Sequence, residues 1–227
     1  MNDVELIVVD DEDTLAARVA ERLARAAREG ESIVLTGGST PELAYREAAQ
    51  LEPDWSSVEL WWGDERCVPP DHEESNYGMA KRSLLDGIER QPRAVHRIKG
   101  ELGKEQGAAE YAAEVADATL DLLLLGMGPD GHIASLYPNA ATLQAEEAAL
   151  PAVAELEPFV DRVTLSLPKL RGAREVLFLI AGESKADAVA RAFAAEPSPD
   201  TPASLVRASD GKTVAILDRA AAAKLPA

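Results

Sequence analysis

A histidine in a glycine-rich loop is the first residue of this sequence that could do chemistry. His132 follows the apolar run LDLLLL at 120–125, within the segment GMGPDGH, and it is one of 3 histidines in the chain. An accessible imidazole has a pKa of about 6.5, so it can take a proton from a water molecule near neutral pH. Asp130 or Asp64 could orient the ring. This loop therefore predicts a general base assisted by a carboxylate.

Charged residues also follow another apolar run, VELWW at 58–62. Asp64, Glu65 and Arg66 come shortly after it, within WGDER. Charges rarely lie beside a buried strand without partners, so this segment fits either a salt-bridged loop or the edge of a site. Asn76, in SNYGMA, adds an amide that could reach hydroxyl groups of a ligand. We take Asp64, Arg66 and Asn76 as candidate site residues.

A glycine pair links a further apolar run to a helical pattern. Gly37, Gly38, Ser39 and Thr40 follow SIVLT at 32–36. The glycines allow close backbone approach, and Ser39 or Thr40 can cap the helix. The N–H groups of a helix N-terminus bind phosphate, but the Gly-Lys-Ser/Thr ending of a nucleotide-binding P-loop is missing. A phosphate site of another kind and a structural strand-to-helix turn both fit this loop.

The overall charge of the chain determines what an anionic ligand would require. With 40 acidic and 23 basic residues, the net charge of −17 disfavours nucleic acid and anionic lipid as partners. An anionic substrate would therefore need local basic residues. Arg162 begins RVTLSL, and Lys185 lies in the first turn of a predicted helix, where a cation opposes the helix dipole. We expect both to bind an anion, with a solvated surface lysine as the alternative for Lys185.

Short apolar runs alternate with longer amphipathic segments along the chain, and this pattern must position the loops described above. It predicts an α/β fold, a Rossmann-like, mostly parallel sheet with helices on both faces. The strands are expected at 6–10, 32–36, 58–62, 120–125, 162–167, 176–181, 204–208 and 213–217. The helices are expected over 12–29, 41–50, 74–90, 104–118, 183–195 and 219–227. In such a sheet, ligands bind outside the carboxyl ends of the strands, where the candidate loops lie.

Size and composition set the remaining expectations. A chain of 227 residues with 46% apolar composition can bury one sizeable core, and we predict a single domain over 1–227. The single cysteine, Cys67, suits a reducing compartment, and residues 1–10 lack the basic region of a signal peptide. No apolar run approaches the roughly 20 residues that span a bilayer. We therefore expect a cytoplasmic protein without a membrane segment, a metal site or a disulfide.

A dinucleotide-binding interpretation rests on one glycine pattern. Gly126, Gly128 and Gly131 match the spacing of the fingerprint, but proline and histidine interrupt the loop before a helix could open. The following segment, LYPNAATLQAEEAALPAV, shows no clear strand that could carry the acidic residue of that fold. A nicotinamide-dependent oxidoreductase is therefore a weak alternative.

Taken together, these segments resemble the 6-phosphogluconolactonase family. TGGSTP, WGDER, SNYGMA, LLGMGPDGHIASLYP, RVTLSLP and AGESK occur in the order and spacing of that family over nearly the whole chain. The resemblance implies a small region appended to the parallel sheet and hydrolysis of 6-phospho-D-glucono-1,5-lactone. It implies a small-molecule phosphorylated sugar lactone as the partner and no cofactor.

The resemblance also implies roles for the candidate residues. His132 would activate a water that attacks the lactone carbonyl, beside Asp64 and Arg66. Either Arg66 or backbone N–H groups would then stabilise the oxyanion. The residues implied to bind the 6-phosphate are Gly37, Gly38, Ser39, Thr40, Arg162 and Lys185.

Two positions separate this chain from the related deaminases. Those enzymes have tyrosine where Arg66 stands and a catalytic glutamate where Tyr137 stands, so an amino-sugar phosphate isomerase is disfavoured. A sugar-phosphate-binding regulator without catalysis is another alternative, but it would predict a lost general base or an added DNA-binding segment. The sequence leaves open a monomer or a small homo-oligomer.

Overall fold

A parallel sheet of seven strands carries the fold in the computed structural model, which describes residues 4–194 and 196–226. The strands of both sheets of the molecule are β1 (Val4–Val9), β2 (Ser32–Leu35), β3 (Glu59–Trp62), β4 (Asp64–Arg66), β5 (Ala94–His96), β6 (Leu122–Leu125), β7 (Ala149–Ala152), β8 (Arg162–Leu165), β9 (Glu175–Ile180) and β10 (Lys212–Asp218). The order in the large sheet is β1-β10-β9-β6-β2-β3-β5, and its neighbours pair in parallel.

Helices connect the strands and cover the sheet. They are α1 (Glu12–Glu29), α2 (Ser39–Leu51), α3 (Asn76–Ser83), α4 (Lys104–Val115), α5 (Leu167–Arg171) and α6 (Ala186–Phe193). Every residue of β2, β6 and β9 is buried, as expected for central parallel strands covered on both faces. The predicted α/β fold with a Rossmann-like parallel sheet is confirmed.

The first helix shows why the amphipathic pattern was a good predictor. Asp11 caps α1 by accepting a hydrogen bond from the Thr14 N–H at 2.9 Å, and Gly30 ends the helix in the left-handed conformation. Leu15, Val19 and Leu23 lie on its buried face. The prediction of a helix over 12–29 is therefore confirmed at both ends.

A second, antiparallel sheet has the order β4-β8-β7 and forms the small appended region. The run at 162–167 was expected to be a strand of the parallel sheet, and this expectation is wrong. It forms β8 in the small sheet and then begins α5 at Leu167. Because β8 is buried along its whole length, its continuous apolar pattern resembles that of a central parallel strand.

Two further predictions at the end of the chain are wrong. The run at 204–208 is not a strand, because a 3₁₀ turn over Pro202–Leu205 leads into irregular backbone. Its residues are largely buried, and periodicity alone does not distinguish a buried strand from other buried segments. The alanine-rich segment from 219 forms turns through 224 in place of a terminal helix.

The remaining differences concern boundaries, the missed strands β4, β5 and β7, and the short missed helix α5. The segment at 74–90 divides into α3 and a 3₁₀ turn, and the one at 183–195 divides into a 3₁₀ turn and α6. The segment that showed no clear strand contains β7, although β7 belongs to the small sheet. Residues 195 and 227, which ended two of the expected helices, lie outside the described residues. Within the described residues, no helix is both long and apolar enough to cross a bilayer.

Candidate active site

A cavity of about 550 Å³ opens at the carboxyl end of the parallel sheet. Loops that follow β2, β6 and β9 line it, together with β4 just after β3 and Asp218 at the end of β10, as the rule for open α/β sheets predicts. The structure brings all the candidate site residues except Asp130 to its wall: His132, Asp64, Arg66, Gly37, Gly38, Ser39, Thr40, Asn76, Arg162 and Lys185. Asp130 is not part of the wall, but it hydrogen-bonds His132, which is.

His132 and Asp130 form a hydrogen-bonded pair at the wall of this cavity. The distance from His132 Nδ1 to Asp130 Oδ1 is 2.7 Å, and the His132 backbone N–H donates to the same oxygen at 3.1 Å. Burial raises the pKa of Asp130, but the hydrogen bond and charge of His132 outweigh burial and hold the pKa below its ordinary value. An ionised Asp130 accepts the Nδ1 hydrogen, which leaves Nε2 with a free lone pair.

Two glycines give this pair the space that it needs. A Cβ on Gly128 would lie 2.0 Å from His132 Nδ1 and 2.5 Å from Asp130 Oδ1. Gly131 has a φ of +97°, and its Cβ would lie 2.7 Å from Thr201 Cγ2. The glycine pattern that resembled a dinucleotide fingerprint thus has another physical cause here, namely room for a histidine–carboxylate pair and a tight turn.

Asp64 lies in the cavity wall without contacting the imidazole pair. It is 6% exposed, its Oδ1 accepts a hydrogen bond from Asn76 Nδ2 at 3.1 Å, and its Oδ2 accepts one from Ser135 Oγ at 2.7 Å. Of the two carboxylates that could orient His132, the structure places Asp130 in that position. Asp64 is held by an amide and a hydroxyl, and it faces the cavity as a fixed acceptor.

Glu65, next to Asp64, has a structural role. Its carboxylate accepts hydrogen bonds from the N–H groups of Asn76 at 2.7 Å and Tyr77 at 2.8 Å, and from Ser75 Oγ at 3.0 Å. Burial raises the pKa of Glu65 although these hydrogen bonds lower it. The carboxylate satisfies the first N–H groups of α3 and so fixes Asn76 at the cavity.

Two arginines stand opposite each other on neighbouring strands of the small sheet. Arg66 pairs in register with Arg162. Within the described residues, the two guanidinium groups donate hydrogen bonds only to carbonyl oxygens, and Arg66 also forms an ion pair with a carboxylate at the rim. Burial lowers the pKa of Arg162, and the charge of Arg66 lowers it further. Like charges opposite each other in a sheet are destabilising, so an anion between these guanidinium groups would relieve the repulsion.

The loop after β2 presents a helix N-terminus to the cavity. Gly38, with a φ of +119°, occupies the cap position of α2, and no side chain of the described residues accepts from the first N–H groups of that helix. The expectation that Ser39 or Thr40 caps α2 is therefore wrong, because the helix begins at Ser39, two residues before the expected start at 41. A Cβ on Gly37 would lie 2.0 Å from Asn76 Oδ1, so only glycine fits there. The uncapped N–H groups suit a phosphate.

Lys185 supplies a further positive charge to the cavity wall. Burial lowers its pKa although the charge of Asp130 raises it. Across the residues that the structure describes, its amine has no hydrogen bond or ion pair. A half-buried amine without a partner in a protein of charge −17 is well suited to an anionic ligand.

Sequence reasoning missed three residues that shape the cavity. Ser135 holds Asp64, the Tyr137 ring lies 4.8 Å from the His132 ring between centroids, and Glu12 hydrogen-bonds Thr40. Tyr137 had been noted only as the residue that replaces a deaminase glutamate. Ser135 follows His132 closely in the chain, so proximity could have suggested it. Glu12 carried no such signal, because it begins a helix far from the glycine loop.

Comparisons with known proteins agree with the fold and identify a family. The family described as glucosamine-6-phosphate isomerases/6-phosphogluconolactonase matches residues 10–215. The chain is 37% identical over 248 residues to the 6-phosphogluconolactonase of Streptomyces coelicolor, an alignment that covers 98% of this chain and 95% of the relative. It is 38% identical over 224 residues to that of Homo sapiens, covering 92% of this chain and 87% of the relative.

Solved structures show the same architecture. The 6-phosphogluconolactonase from Trypanosoma cruzi superposes with a TM-score of 0.85 at 26% identity, covering 100% of this chain and 99% of that one. A monomeric glucosamine-6-phosphate deaminase superposes with a TM-score of 0.87 at 20% identity, covering 97% of this chain and 100% of that one. At that identity, the second match supports the fold alone.

Proposed function

This chain belongs to the glucosamine-6-phosphate isomerase/6-phosphogluconolactonase family, and we therefore propose that it hydrolyses 6-phospho-D-glucono-1,5-lactone to 6-phospho-D-gluconate with His132 as the general base. Curated relatives from bacteria, a plant and human support a lactone-hydrolysing enzyme of the pentose phosphate pathway. The observation that carries the mechanism is the hydrogen bond between His132 and Asp130 at the wall of a cavity that Arg66, Arg162 and Lys185 also line.

The first step is activation of water. His132 Nε2 takes a proton from a water molecule, and the resulting hydroxide attacks C1 of the lactone. Asp130 supports this step because its carboxylate stabilises the imidazolium ion that forms and fixes the ring in one tautomer. General base catalysis of this kind contributes about 10² to 10⁴ in rate.

The second step collapses the tetrahedral intermediate. Its oxyanion is stabilised by Arg66, whose buried Nε has no partner within the described residues, or by backbone N–H groups of the cavity wall. The ring oxygen then leaves C1 and takes the proton from His132, which restores the neutral imidazole. Asp64 and Asn76, fixed by mutual hydrogen bonding, orient the sugar hydroxyl groups.

The phosphate group binds away from the reacting carbon. We assign it to the N-terminus of α2 and to the cations Arg162 and Lys185. This assignment explains why Arg162 and Lys185, which form no ion pair within the described residues, line one cavity of a strongly acidic protein. The residues proposed at the N-terminus of α2 are Gly37, Gly38, Ser39 and Thr40.

The same proposal includes the setting in which the enzyme works. A cytoplasmic location fits the single cysteine, Cys67, because burial raises the pKa of its thiol to about 11 and keeps it protonated. A single domain over 1–227 fits the one hydrophobic cluster that joins both sheets within the described residues. The enzyme acts on a small molecule without nucleic acid, as a monomer or a small homo-oligomer.

A paired activity measurement tests this function. Freshly generated 6-phospho-D-glucono-1,5-lactone is mixed with the enzyme, and acid production is followed after its spontaneous hydrolysis is subtracted. Ammonia release from glucosamine 6-phosphate is measured in parallel. We expect rapid lactone hydrolysis and no ammonia, because Tyr137 replaces the carboxylate of the deaminases. Ammonia release without lactone hydrolysis would overturn the proposal.

A further inference from the structure

The hydroxyl group of Thr40 hydrogen-bonds a carboxylate in the cavity wall. Thr40 Oγ1 lies 2.5 Å from Glu12 Oε1. A carboxylate can only accept hydrogen bonds, so Thr40 must donate its single hydroxyl hydrogen to Glu12. Toward the cavity, the Thr40 oxygen can then act only as an acceptor. This polarity is opposite to what a fully ionised phosphate group would require.

The architecture holds this pair in place. Glu12 is the first residue of α1, Thr40 is the second residue of α2, and the two helices pack against each other. Both residues line the cavity. The first turn of a helix favours a negative charge, so Glu12 occupies a position where a carboxylate is stabilised. The pair is therefore a fixed feature of the cavity wall on the side of the glycine loop.

Other charged groups surround the same space, and most already have partners. The Asp218 carboxylate accepts hydrogen bonds from the N–H groups of Gly182 and Ala221, and Asp64 and Asp130 are occupied as described above. Glu157 lines the outer wall. The basic groups are Arg66, Arg162 and Lys185, and they attract a dianion more strongly than a monoanion. The acceptor formed by Glu12 and Thr40 is the feature of this wall that acts in the opposite sense and favours the monoanion.

We propose that the Glu12–Thr40 pair makes this subsite selective for the monoprotonated form of a phosphate ester. The inference rests on the proposed function, because it assumes that the 6-phosphate occupies the glycine-loop side of the cavity. A monoanionic ester has one P–OH group, which can donate to Thr40 Oγ1. A dianionic ester has none, and it meets a lone pair of Thr40 and the charge of Glu12.

Selectivity of this kind couples ligand binding to protonation of the phosphate group. A phosphate monoester loses its second proton with a pKa of about 6 in water. The pair stabilises the protonated form, so it raises the pKa of the bound phosphate relative to the same site without the pair. By linkage, the affinity of the wild type relative to a variant without the pair falls as the pH rises through the pKa of the bound phosphate.

The experiment uses 6-phospho-D-gluconate, the reaction product, as the probe. Its bound ³¹P resonance is followed from pH 5 to 8 in the full-length enzyme, and its Kd is measured by calorimetry over the same range. We compare the wild type with Glu12→Gln, in which the amide can donate to Thr40 and release the Thr40 hydrogen toward the ligand. We expect the bound phosphate to titrate at least one pH unit lower in Glu12→Gln. The Kd should rise at least fivefold more between pH 6 and 8 in the wild type.

Two further variants distinguish the effect of the Glu12–Thr40 hydrogen bond from the effect of negative charge alone. Asp13→Asn removes an equal charge from the same turn of α1 but lies outside the cavity wall, so its profile should match the wild type. Thr40→Val keeps Glu12 and removes the acceptor, so its pH dependence should resemble that of Glu12→Gln. If Thr40→Val retains the wild-type profile, Glu12 acts through its charge alone and the proposal is wrong.

The possible failures are distinguishable. Identical titrations in the wild type and Glu12→Gln, with product bound and lactone hydrolysed, would overturn the selectivity and leave the proposed function intact. An enzyme that neither binds the product nor hydrolyses the lactone would contradict both. Unchanged circular dichroism of each variant shows that the comparison concerns folded protein.

Discussion

Charged side chains lie at both ends of the parallel sheet, and their partners differ. At the amino end, the guanidinium of Arg22 lies 2.8 Å from a Glu31 oxygen and 2.9 Å from a Glu175 oxygen, and Lys212 Nζ lies 3.1 Å from that same Glu175 oxygen. At the carboxyl end, Lys185 has no such partner within the described residues. One end neutralises its charges internally, whereas the other keeps basic groups available.

This difference follows from what each end must do. A buried charge without a partner costs several kcal/mol, so a structural region gains by pairing every charge. A binding region has to keep some of that interaction for its ligand, which then supplies the missing partner. We therefore expect substitutions at the amino end to change stability and substitutions at the carboxyl end to change activity.

The largest expected effect is at His132. His132→Ala should lower kcat about 10²- to 10⁴-fold, because the water loses its base while the other residues of the cavity remain. The variant should unfold at nearly the wild-type temperature. His72→Ala is the matched control, since His72 is exposed and lies outside the cavity. Full lactonase activity of His132→Ala would remove the residue from the mechanism and make Asp64 the candidate base.

The next effect is on stability and lies at the amino end. Glu175→Gln should lower the free energy of unfolding by about 3 kcal/mol, because it leaves the buried Arg22 poorly compensated. Activity per folded molecule should not change. Glu59→Gln serves as the control, since Glu59 also begins a strand but pairs with an exposed arginine, and its loss should cost less than about 1 kcal/mol. Equal losses in chemical denaturation would contradict the contrast.

The same glutamate predicts a dependence on pH. Burial raises the pKa of Glu175, but hydrogen bonds from Arg22 and Lys212 outweigh burial and hold it below its ordinary value. Its contribution to stability is therefore present above the unfolded pKa of about 4.3 and is lost as the pH falls through the folded value. Unfolding by urea at pH 7 and pH 3.5 should show a smaller difference between wild type and Glu175→Gln at the lower pH.

Two lysines, one at each end of the sheet, allow a direct comparison in which the expected effects are smaller. Lys185→Met should raise KM about tenfold and leave kcat nearly unchanged, because it removes binding energy that substrate and transition state share. Lys212→Met should leave KM unchanged and lower stability by about 1 kcal/mol, since Lys212 is partly exposed. A KM effect at Lys212 would show that the two ends of the sheet are not separate.

The smallest expected effect is stabilisation by an anion. Inorganic phosphate at ten times its Kd should raise the unfolding temperature by about 2–4 °C, because it neutralises the facing guanidinium groups of Arg66 and Arg162. The rise should disappear in Arg162→Met and persist in Glu175→Gln. A scanning measurement with chloride of matched ionic strength separates this binding from general screening.

Much of the candidate site could be predicted because a parallel sheet brings its strand ends to one edge. His132, Asp64 and Gly37 each follow an apolar run, so their convergence in one cavity required only the alternation of strands and helices. The polar types of these residues then indicated chemistry. The boundaries of α1 were equally accessible, because its cap and its terminal glycine are local signals.

The remaining features depend on contacts between distant segments. Glu65 stood beside two candidate residues, and only the packing of α3 shows that it caps a helix. Glu12 meets Thr40 because α1 and α2 pack together, which no local pattern encodes. The strand at Arg162 had the apolar pattern of a parallel strand, and its antiparallel pairing depends on partners elsewhere in the chain.

That antiparallel pairing also has a consequence for folding. Strands β2 and β3 are near neighbours along the chain and can pair early, whereas β4 must wait for the distant β8 before Arg66 and Arg162 face each other. Pairing of distant segments is slow because loop closure must precede any gain from contacts. During synthesis, we expect the first strands and their helices to associate before β8 has left the ribosome. The arginine pair would then assemble after β2, β3, β5 and β6 have paired, and before β9 and β10, which follow β8 in the chain, complete the parallel sheet.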